Sequence, residues 1–196
     1  FSMNACACVV VLFSHNQLVG YGGDMAVGAY GIANRIACVF VMFVMGVNQG
    51  MQPIAGYNYG SRQLDRLMRV LNLSIIAATC IMTTGWVVAE FLPHLVARIF
   101  TTDSELTRMA VVATKFNMAV FPIIGFQMVV TNFFQCIGKV KVSIFLSLSR
   151  QLLILVPLLG ILPCLFGLDG IWYALPASDA SAAVIAFFVM TLYMRR

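Results

Sequence analysis

The chain has 196 residues, of which 61% are apolar and only 10% are charged, and its mean hydropathy is +0.94. A soluble fold of this size requires more polar surface, so the composition predicts an integral membrane protein. The net charge of +5 could indicate a nucleic-acid partner, but the basic residues are spread among short loops and form no basic face, so no such partner is expected. The six cysteines lack CxxC or metal-site spacing and are interpreted as small buried hydrophobes, so neither a metal site nor a cofactor is expected.

Six apolar windows are long enough to cross a bilayer as helices, which takes about 20 residues each. No soluble domain or linker separates them, so residues 1–196 are predicted to form one all-α bundle of six transmembrane helices. The predicted spans are approximately Phe1–Val19, Met25–Pro53, Leu71–Phe91, Leu106–Phe134, Val142–Phe166 and Gly170–Met194.

The polar break at residues 58–69 predicts the orientation of the bundle. It carries Arg62, Arg66 and Arg69 against the single acid Asp65, and a short basic loop beside an apolar span marks the cytoplasmic face. With six crossings, the loop at residues 138–141 and the C-terminus lie on the same side. We therefore expect a multi-pass protein of the cell inner (plasma) membrane, with both loops and the C-terminus in the cytoplasm.

The break after residue 91 is expected on the outer face. Between Leu95 and Phe100 the pattern predicts a short interfacial helix. Thr102 and Glu105 have the S/T-x-x-E spacing of a capping box, which predicts that the next helix begins near Asp103.

The nine residues from Gln52 to Gly60, QPIAGYNYG, form the most specific motif in the chain. Pro53, Gly56 and Gly60 predict that a membrane helix ends here. The motif resembles the sequence that closes the second helix of the C-terminal lobe in multidrug and toxic compound extrusion (MATE) transporters, particularly their DNA-damage-inducible and Staphylococcus-type multidrug branches. Further stretches with this resemblance are Asn132–Gln135, Gly138–Lys139, Ser149–Gln151 with Pro157, Gly167–Trp172 and Pro176–Asp179.

The resemblance implies both a fold and a function. In the MATE family two six-helix lobes are related by a pseudo-two-fold axis along the membrane normal, and this chain corresponds to the second lobe. We therefore expect a fragment whose partners are the N-terminal lobe of the same polypeptide and the surrounding membrane lipids. The implied function is secondary active export of small amphipathic cations in exchange for Na⁺ or H⁺, without enzymatic activity.

The resemblance also bears on ion coupling. Some MATE branches carry acidic coupling residues in the first and fourth helices of this lobe. Neither Phe1–Val19 nor Leu106–Phe134 contains an Asp or Glu. The coupling ion is therefore expected to bind mainly to the N-terminal lobe.

Four ionisable side chains are predicted to lie within the membrane, where a charge is costly and usually faces a cavity or a partner. Arg35 lies near mid-membrane, and Lys115 either lines a cavity or extends to the outer headgroups. Arg150 and Asp179 reach a similar depth on consecutive antiparallel helices, so we predict that they form an ion pair. A structural role for this pair is favoured over a role in ion coupling.

The fourth window is the strongest candidate for a substrate-binding wall. Pro122 and Gly125 predict a kink near mid-membrane, where transporters place binding sites in irregular helices, and Pro157 predicts a similar distortion in the fifth window. Amides would supply polar groups and methionines adaptable apolar contacts. Alternatively, each amide only hydrogen-bonds a neighbouring helix. The candidate cavity-lining residues are Asn4, Arg35, Gln52, Lys115, Asn117, Met118, Gln127, Met128 and Asn132.

Two functions are compatible with these observations. The motifs favour the antiporter. Arg35 and Lys115, however, would make the half-cavity cationic, which favours a lipid-linked oligosaccharide or lipid flippase of the same superfamily that binds a pyrophosphate group. A membrane enzyme is disfavoured because the sequence shows no nucleophile–base pair, no metal cluster and no phosphate-binding glycine loop.

Overall fold

The computed structural model describes the backbone of residues 2–101 and 103–194, and this backbone is helical apart from short turns. Within these ranges it leaves undescribed the side chains of residues 2–10, 13–15, 17–18, 21–22, 94, 96, 164–166, 168–169 and 194. The helices are α1 (Ser2–Gly60), α2 (Leu64–Phe91), α3 (Pro93–Phe100), α4 (Ser104–Met118), α5 (Phe121–Cys136), α6 (Val140–Leu148), a π-helical segment (Ser149–Leu155), α7 (Val156–Phe166) and α8 (Leu168–Met194). The predicted all-α fold class is confirmed.

Several of these helices are long and apolar enough to cross a membrane. Four described segments meet that condition: Gly23–Gly60, Leu64–Phe91, Val140–Pro163 and Gly170–Tyr193. The bent pair α4 and α5 makes a fifth if it is taken as one span. The first predicted window, Phe1–Val19, lies largely among residues whose side chains are not described. The multi-pass character that the composition predicts is confirmed.

Helix α1 breaks at Gly23, between the first two predicted windows. Gly23 has φ 64° and ψ −168°, a conformation that side chains with a Cβ rarely adopt. Beyond this kink, α1 continues through Pro53 and ends at Gly60, so the predicted window Met25–Pro53 is seven residues too short, although the helix does end within the motif Gln52–Gly60 that predicts its end. Pro53 is exposed, whereas Met51 and Ala55 are buried, so packing of the opposite face holds the helix together despite the lost N–H.

Helix α2 begins at Leu64, seven residues before the predicted start at Leu71. Leu67 and Leu71 are both buried, and their spacing of four places them on one helix face against the core. The basic residues Arg66 and Arg69 are exposed on these first turns. The expected basic loop is therefore mostly helix, and the connection to α1 is a short turn in which Arg62 has a positive φ of 58°.

The connection after α2 contains the short helix α3, which begins at Pro93, two residues before the predicted start. Helix α4 follows at Ser104, and its N-cap is Asp103, whose carboxylate accepts hydrogen bonds from the backbone N–H groups of Glu105 at 2.9 Å and Leu106 at 3.4 Å. The cap therefore lies one residue later than the predicted Thr102, which is outside the described residues. A carboxylate at this position satisfies the free N–H groups of the first turn.

The core lies where α1, α2, α4, α5 and α8 meet. Helix α1 packs against α2 and α4, α2 packs against α5, and α8 packs against α5 and α7. Gly125 on α5 allows a close approach to α2, because a Cβ at that position would lie 2.9 Å from the carbonyl oxygen of Ala78. Small residues that bring backbones together are a common feature of membrane-helix contacts. The largest fully buried side chains include Met82, Met118, Phe133, Phe134 and Leu159.

The outer surface of the bundle carries many large apolar side chains, including Met42, Phe43 and Phe188. In a bilayer this surface faces lipid, so apolar residues are stable there. Cys38 and Cys80 are also exposed. The interpretation of the cysteines as buried hydrophobes is therefore wrong for these two, because an apolar solvent removes the reason for burying them.

Candidate functional site

Two irregular stretches of helix shape the centre of the bundle. The first is the break between α4 and α5, whose axes differ by 49°. The N–H groups of Ile123 and Ile124 both bond the carbonyl of Val120, while Pro122 has no N–H for the carbonyl of Met118. The predicted distortion at Pro122 therefore takes the form of a break two residues before it.

The second irregular stretch is the π-helical segment Ser149–Leu155 between α6 and α7. At its end, the N–H of Val156 bonds the carbonyl of Gln151, five residues back instead of four. Pro157 follows directly, and it cannot complete a normal α-helical turn because it lacks the N–H and its ring crowds the preceding turn. The distortion predicted at Pro157 thus lies on its N-terminal side. Such π-helical turns occur frequently at functional sites.

The π-helical segment borders a cleft of about 310 Å³, and α5 lines this cleft from Gln127 onward, six residues after the start of that helix. The side chains that line this cleft include amides, hydroxyls, an arginine and two methionines. Gln127 lies nine residues before the end of α5, which corresponds to a depth of about 14 Å, roughly half of a bilayer core. We call this the central cleft, and its lining residues are Met45, Asn48, Gln127, Met128, Thr131, Asn132, Gln135, Ser147, Arg150 and Gln151.

Arg150 lies in the wall of the central cleft and forms an ion pair with α8. Its Nε is 2.9 Å from Oδ1 of Asp179, and the two side chains are 34% and 14% exposed. The pair joins the π-helical segment to α8. A membrane-embedded carboxylate without a counter-charge would be costly, so each charge makes the other tolerable.

Two buried amides in the cleft carry oxygen atoms without hydrogen-bond partners. Asn48 is 2% exposed and Gln127 is 3% exposed, yet no described residue donates to Oδ1 of Asn48 or Oε1 of Gln127. A buried polar atom normally has a partner, and each one left without a partner costs on the order of 1–3 kcal/mol. Asn48 on α1 and Gln127 on α5 therefore each place a buried, unpaired acceptor beside the cleft.

Three predicted cavity residues, Gln127, Met128 and Asn132, line the central cleft. Gln52 lies in an adjoining depression with Gln135, and its Nε2 donates to Oδ1 of Asn132 at 3.2 Å. Gln52 thus bonds a neighbouring helix, which is the alternative that the sequence left open for the amides.

The other predicted cavity residues lie elsewhere. Met118 is fully buried, so its assignment to the cavity wall is wrong: it continues the buried face of α4 that includes Val111 and Thr114. Nζ of Lys115 is 3.0 Å from Oε1 of Glu90, which neutralises it away from the cleft. Neither half-buried Asn117 nor exposed Arg35 lines the described cleft. The side chain of Asn4 is outside the described part of the chain.

Sequence reasoning missed Asn48 and the position of Arg150 in the cleft wall. A signal for Asn48 was present, because it continues the four-residue spacing of buried Val44 and lies seven residues before buried Ala55. No comparable signal existed for Arg150, since its exposure to the cleft depends on the π-helical turn.

Comparison with known proteins identifies the family. The MatE family model matches residues 2–160. The chain belongs to the MatE family. The resemblance to MATE efflux transporters that the sequence indicates is therefore confirmed.

Relatives within the MatE family include exporters of drugs. The chain is 25% identical over 181 residues to "Multidrug export protein MepA" of Staphylococcus aureus (strain bovine RF122 / ET3-1), covering 92% of this chain and 40% of that protein. It is 26% identical over 175 residues to MepA of Staphylococcus haemolyticus (strain JCSC1435), covering 89% and 38%. A solved structure of the MATE multidrug transporter DinF-BH in a ligand complex matches with a TM-score of 0.85 and 36% identity, covering 99% of this chain and 43% of that one.

The chain spans about 40% of the length of these MatE relatives. The structural similarity to the DinF-BH transporter extends over 99% of this chain and 43% of that one, so the bundle described above corresponds to one portion of a larger transporter fold.

Proposed function

We propose that this chain is the C-terminal six-helix lobe of a secondary active multidrug antiporter, and that the central cleft is its half of the substrate-binding cavity. The family and the MepA relatives support export of drug-like compounds. A lobe that covers about 40% of those relatives would act together with the remainder of the polypeptide.

The observation that carries the proposal is the composition of the central cleft. Met45 and Met128 supply flexible apolar surface, which adapts to ligands of different shape. Asn48 and Gln127 supply acceptors without partners. A cavity that accepts many amphipathic compounds needs adaptable contacts and polar groups without a rigid hydrogen-bond pattern.

The charges near the cleft favour a cationic substrate more than the sequence suggested. Arg150 is balanced by Asp179 and Lys115 by Glu90, so Arg35 is the membrane-embedded cation that has no acidic partner among the described side chains. The argument for a flippase that binds pyrophosphate rested on unpaired positive charge from Arg35 and Lys115. Lys115 is paired with Glu90, so only one of these two positive charges is unpaired. We therefore do not retain this alternative.

We further propose that export follows alternating access, with Na⁺ or H⁺ bound mainly by the N-terminal lobe. Asp179 is the acidic side chain that lies directly behind the cleft wall, and it is occupied by Arg150. The 49° break between α4 and α5 and the π-helical segment supply places where the lobe can bend around a midplane site.

Export from cells tests this function. Cells that express the full-length gene are loaded with ethidium, a fluorescent amphipathic cation, and efflux is followed by fluorescence while the Na⁺ gradient and the H⁺ gradient are collapsed in turn. We expect efflux to stop when one of the two gradients is removed. Efflux that persists without either gradient would contradict secondary antiport, and absence of efflux for ethidium and other amphipathic cations would contradict the substrate class.

A further inference from the structure

The guanidinium of Arg150 contacts Asp179 through Nε only. Its Nε contacts Asp179, while its terminal nitrogens have no hydrogen-bond partner among the side chains and backbone that the structure describes. The guanidinium carries N–H donors in a fixed planar fork. Anchoring through Nε therefore leaves the terminal donors available to the central cleft, which Arg150 lines.

The charge of Asp179 affects which compounds the terminal N–H groups of Arg150 can bind. Asp179 balances the charge of Arg150, so the pair repels a bound cation much less than a lone arginine would. Hydrogen-bond donation does not require a net charge. The cleft beside the fork can therefore hold a positively charged compound while the terminal N–H groups bond an oxygen atom on the same compound.

We propose that Arg150 is a specificity-determining residue of the exporter, and that its terminal N–H groups bind an oxygen acceptor, a carbonyl or a carboxylate, on the exported cation. Asp179 positions the guanidinium for this contact. The inference deepens the proposed function and rests on it. It assigns to the ion pair a role in substrate recognition in addition to joining two helices.

Matched dyes test the inference directly. Tetramethylrosamine and tetramethylrhodamine methyl ester share a cationic ring system, and only the second carries a carbonyl group on its phenyl ring. Dissociation constants are measured by fluorescence anisotropy on the purified full-length protein, so the result does not depend on transport. We expect the methyl ester to bind about tenfold more tightly than the rosamine, as for a hydrogen bond to a charged donor. Equal dissociation constants in the unmodified protein would overturn the inference.

Variants then assign the difference to Arg150. Arg150→Lys keeps a positive charge for Asp179 but replaces the fork by a compact ammonium, so the two dyes should bind equally. Asp179→Asn should also reduce the ratio, because the guanidinium loses its anchor. Glu90→Gln, in the ion pair away from the cleft, should leave the roughly tenfold ratio unchanged. If Arg150→Lys retains that ratio, or weakens both dyes by the same factor, Arg150 has only a structural role.

A third dye and a transport measurement complete the design. The free acid, tetramethylrhodamine, shows whether a carboxylate or a neutral carbonyl is the better acceptor, since either binds through the same donors. Efflux of both cationic dyes from cells reports on the proposed function separately. A binding ratio near one with normal efflux refutes this inference alone, whereas a roughly tenfold ratio without efflux refutes antiport and leaves the recognition by Arg150 standing.

Discussion

The ionisable side chains within the apolar helices of this lobe occupy three different environments. Asp179 is 14% exposed and forms an ion pair with Arg150, whereas Glu90 and Lys115, which form the second ion pair, are 44% and 40% exposed. Arg35 is exposed on α1 and has no acidic partner among the described residues. Because desolvation decides how much an ion pair affects stability, loss of one partner should cost more in the Arg150–Asp179 pair than in the more exposed Lys115–Glu90 pair.

Removal of one partner of the Arg150–Asp179 pair should destabilise the protein. Arg150→Leu leaves the Asp179 carboxylate without a counter-charge, and we expect a loss of about 3 kcal/mol in the free energy of unfolding. The double variant Arg150→Leu with Asp179→Leu should recover most of it, because no charge is left behind. Thermal unfolding of the full-length protein in detergent provides the measurement, and Glu90→Gln, expected to cost less than about 1 kcal/mol, is the control. A double variant as unstable as the single one would show that the pair is not the source of the loss.

Gln127 should behave as a binding residue and not as a helix-packing residue. Its buried Oε1 has no partner, so Gln127→Leu should leave stability unchanged or raise it by about 1 kcal/mol, while the KM for ethidium export rises. Gln52→Leu is the matched control: it removes the hydrogen bond to Asn132 and should cost about 0.6 kcal/mol. Unfolding and efflux measurements on both variants separate the two roles. Loss of stability in Gln127→Leu with normal export would assign this amide to packing.

The sequence predicts how deep in the membrane an ionisable side chain lies, but it does not predict which residues that side chain contacts. Counting from the helix ends is enough to propose a partner for Arg150 and Asp179, because both lie about halfway along consecutive spans. Lys115 and Glu90 are different, since Glu90 lies at the end of α2 and their contact depends on how α2 and α4 pack. The burial of Met118 could have been predicted, because Met118 lies on the same face of α4 as buried Val111 and Thr114.

At the scale of elements, the lobe is shaped by where its helices stop being regular. Proline affects the helix differently at three positions: α1 continues through Pro53, α4 and α5 separate before Pro122, and a π-helical turn forms before Pro157. The residue types alone predict a distortion at each site. Its form depends on whether neighbouring helices hold the chain straight, which is why the motif predicts that α1 ends between Gln52 and Gly60 but does not predict at which residue.

The contact between α2 and α5 should be sensitive to a single methyl group. A Cβ in Gly125→Ala would lie 2.9 Å from the Ala78 carbonyl oxygen, so the two helices must separate, at a cost of about 1–3 kcal/mol. In Gly56→Ala the added Cβ meets nothing within 4 Å, and replacing a helical glycine should stabilise by about 0.5–1 kcal/mol. Thermal unfolding of the two variants, which differ only in where the methyl group lies, gives the comparison. Equal stability of both would mean that α2 and α5 approach less closely than described.

At the scale of the whole molecule, the proposed function makes the central cleft one wall of a larger binding cavity. The family and the all-helical, multi-pass character could be predicted from the sequence because both depend on composition and local motifs. The way the cleft assembles from α1, α5, α6 and the π-helical segment could not be predicted, since its lining residues are spread along the chain from Met45 to Gln151. Which end of the cleft faces the cytoplasm depends in turn on the charges at the two ends of the bundle.

The basic residues predict that orientation, and labelling can test it. Arg62, Arg66 and Arg69 are exposed beside the turn after α1, and the positive-inside rule places this turn in the cytoplasm. In a full-length protein without other cysteines, Ser61→Cys should not react with a membrane-impermeant maleimide in intact cells but should react in inverted vesicles. Ser104→Cys, exposed at the opposite end of the bundle, should show the reverse. If Ser61→Cys is labelled from outside while Ser104→Cys is protected, the lobe is inverted, and the end of the central cleft nearest Gln135 would open to the exterior instead of the cytoplasm.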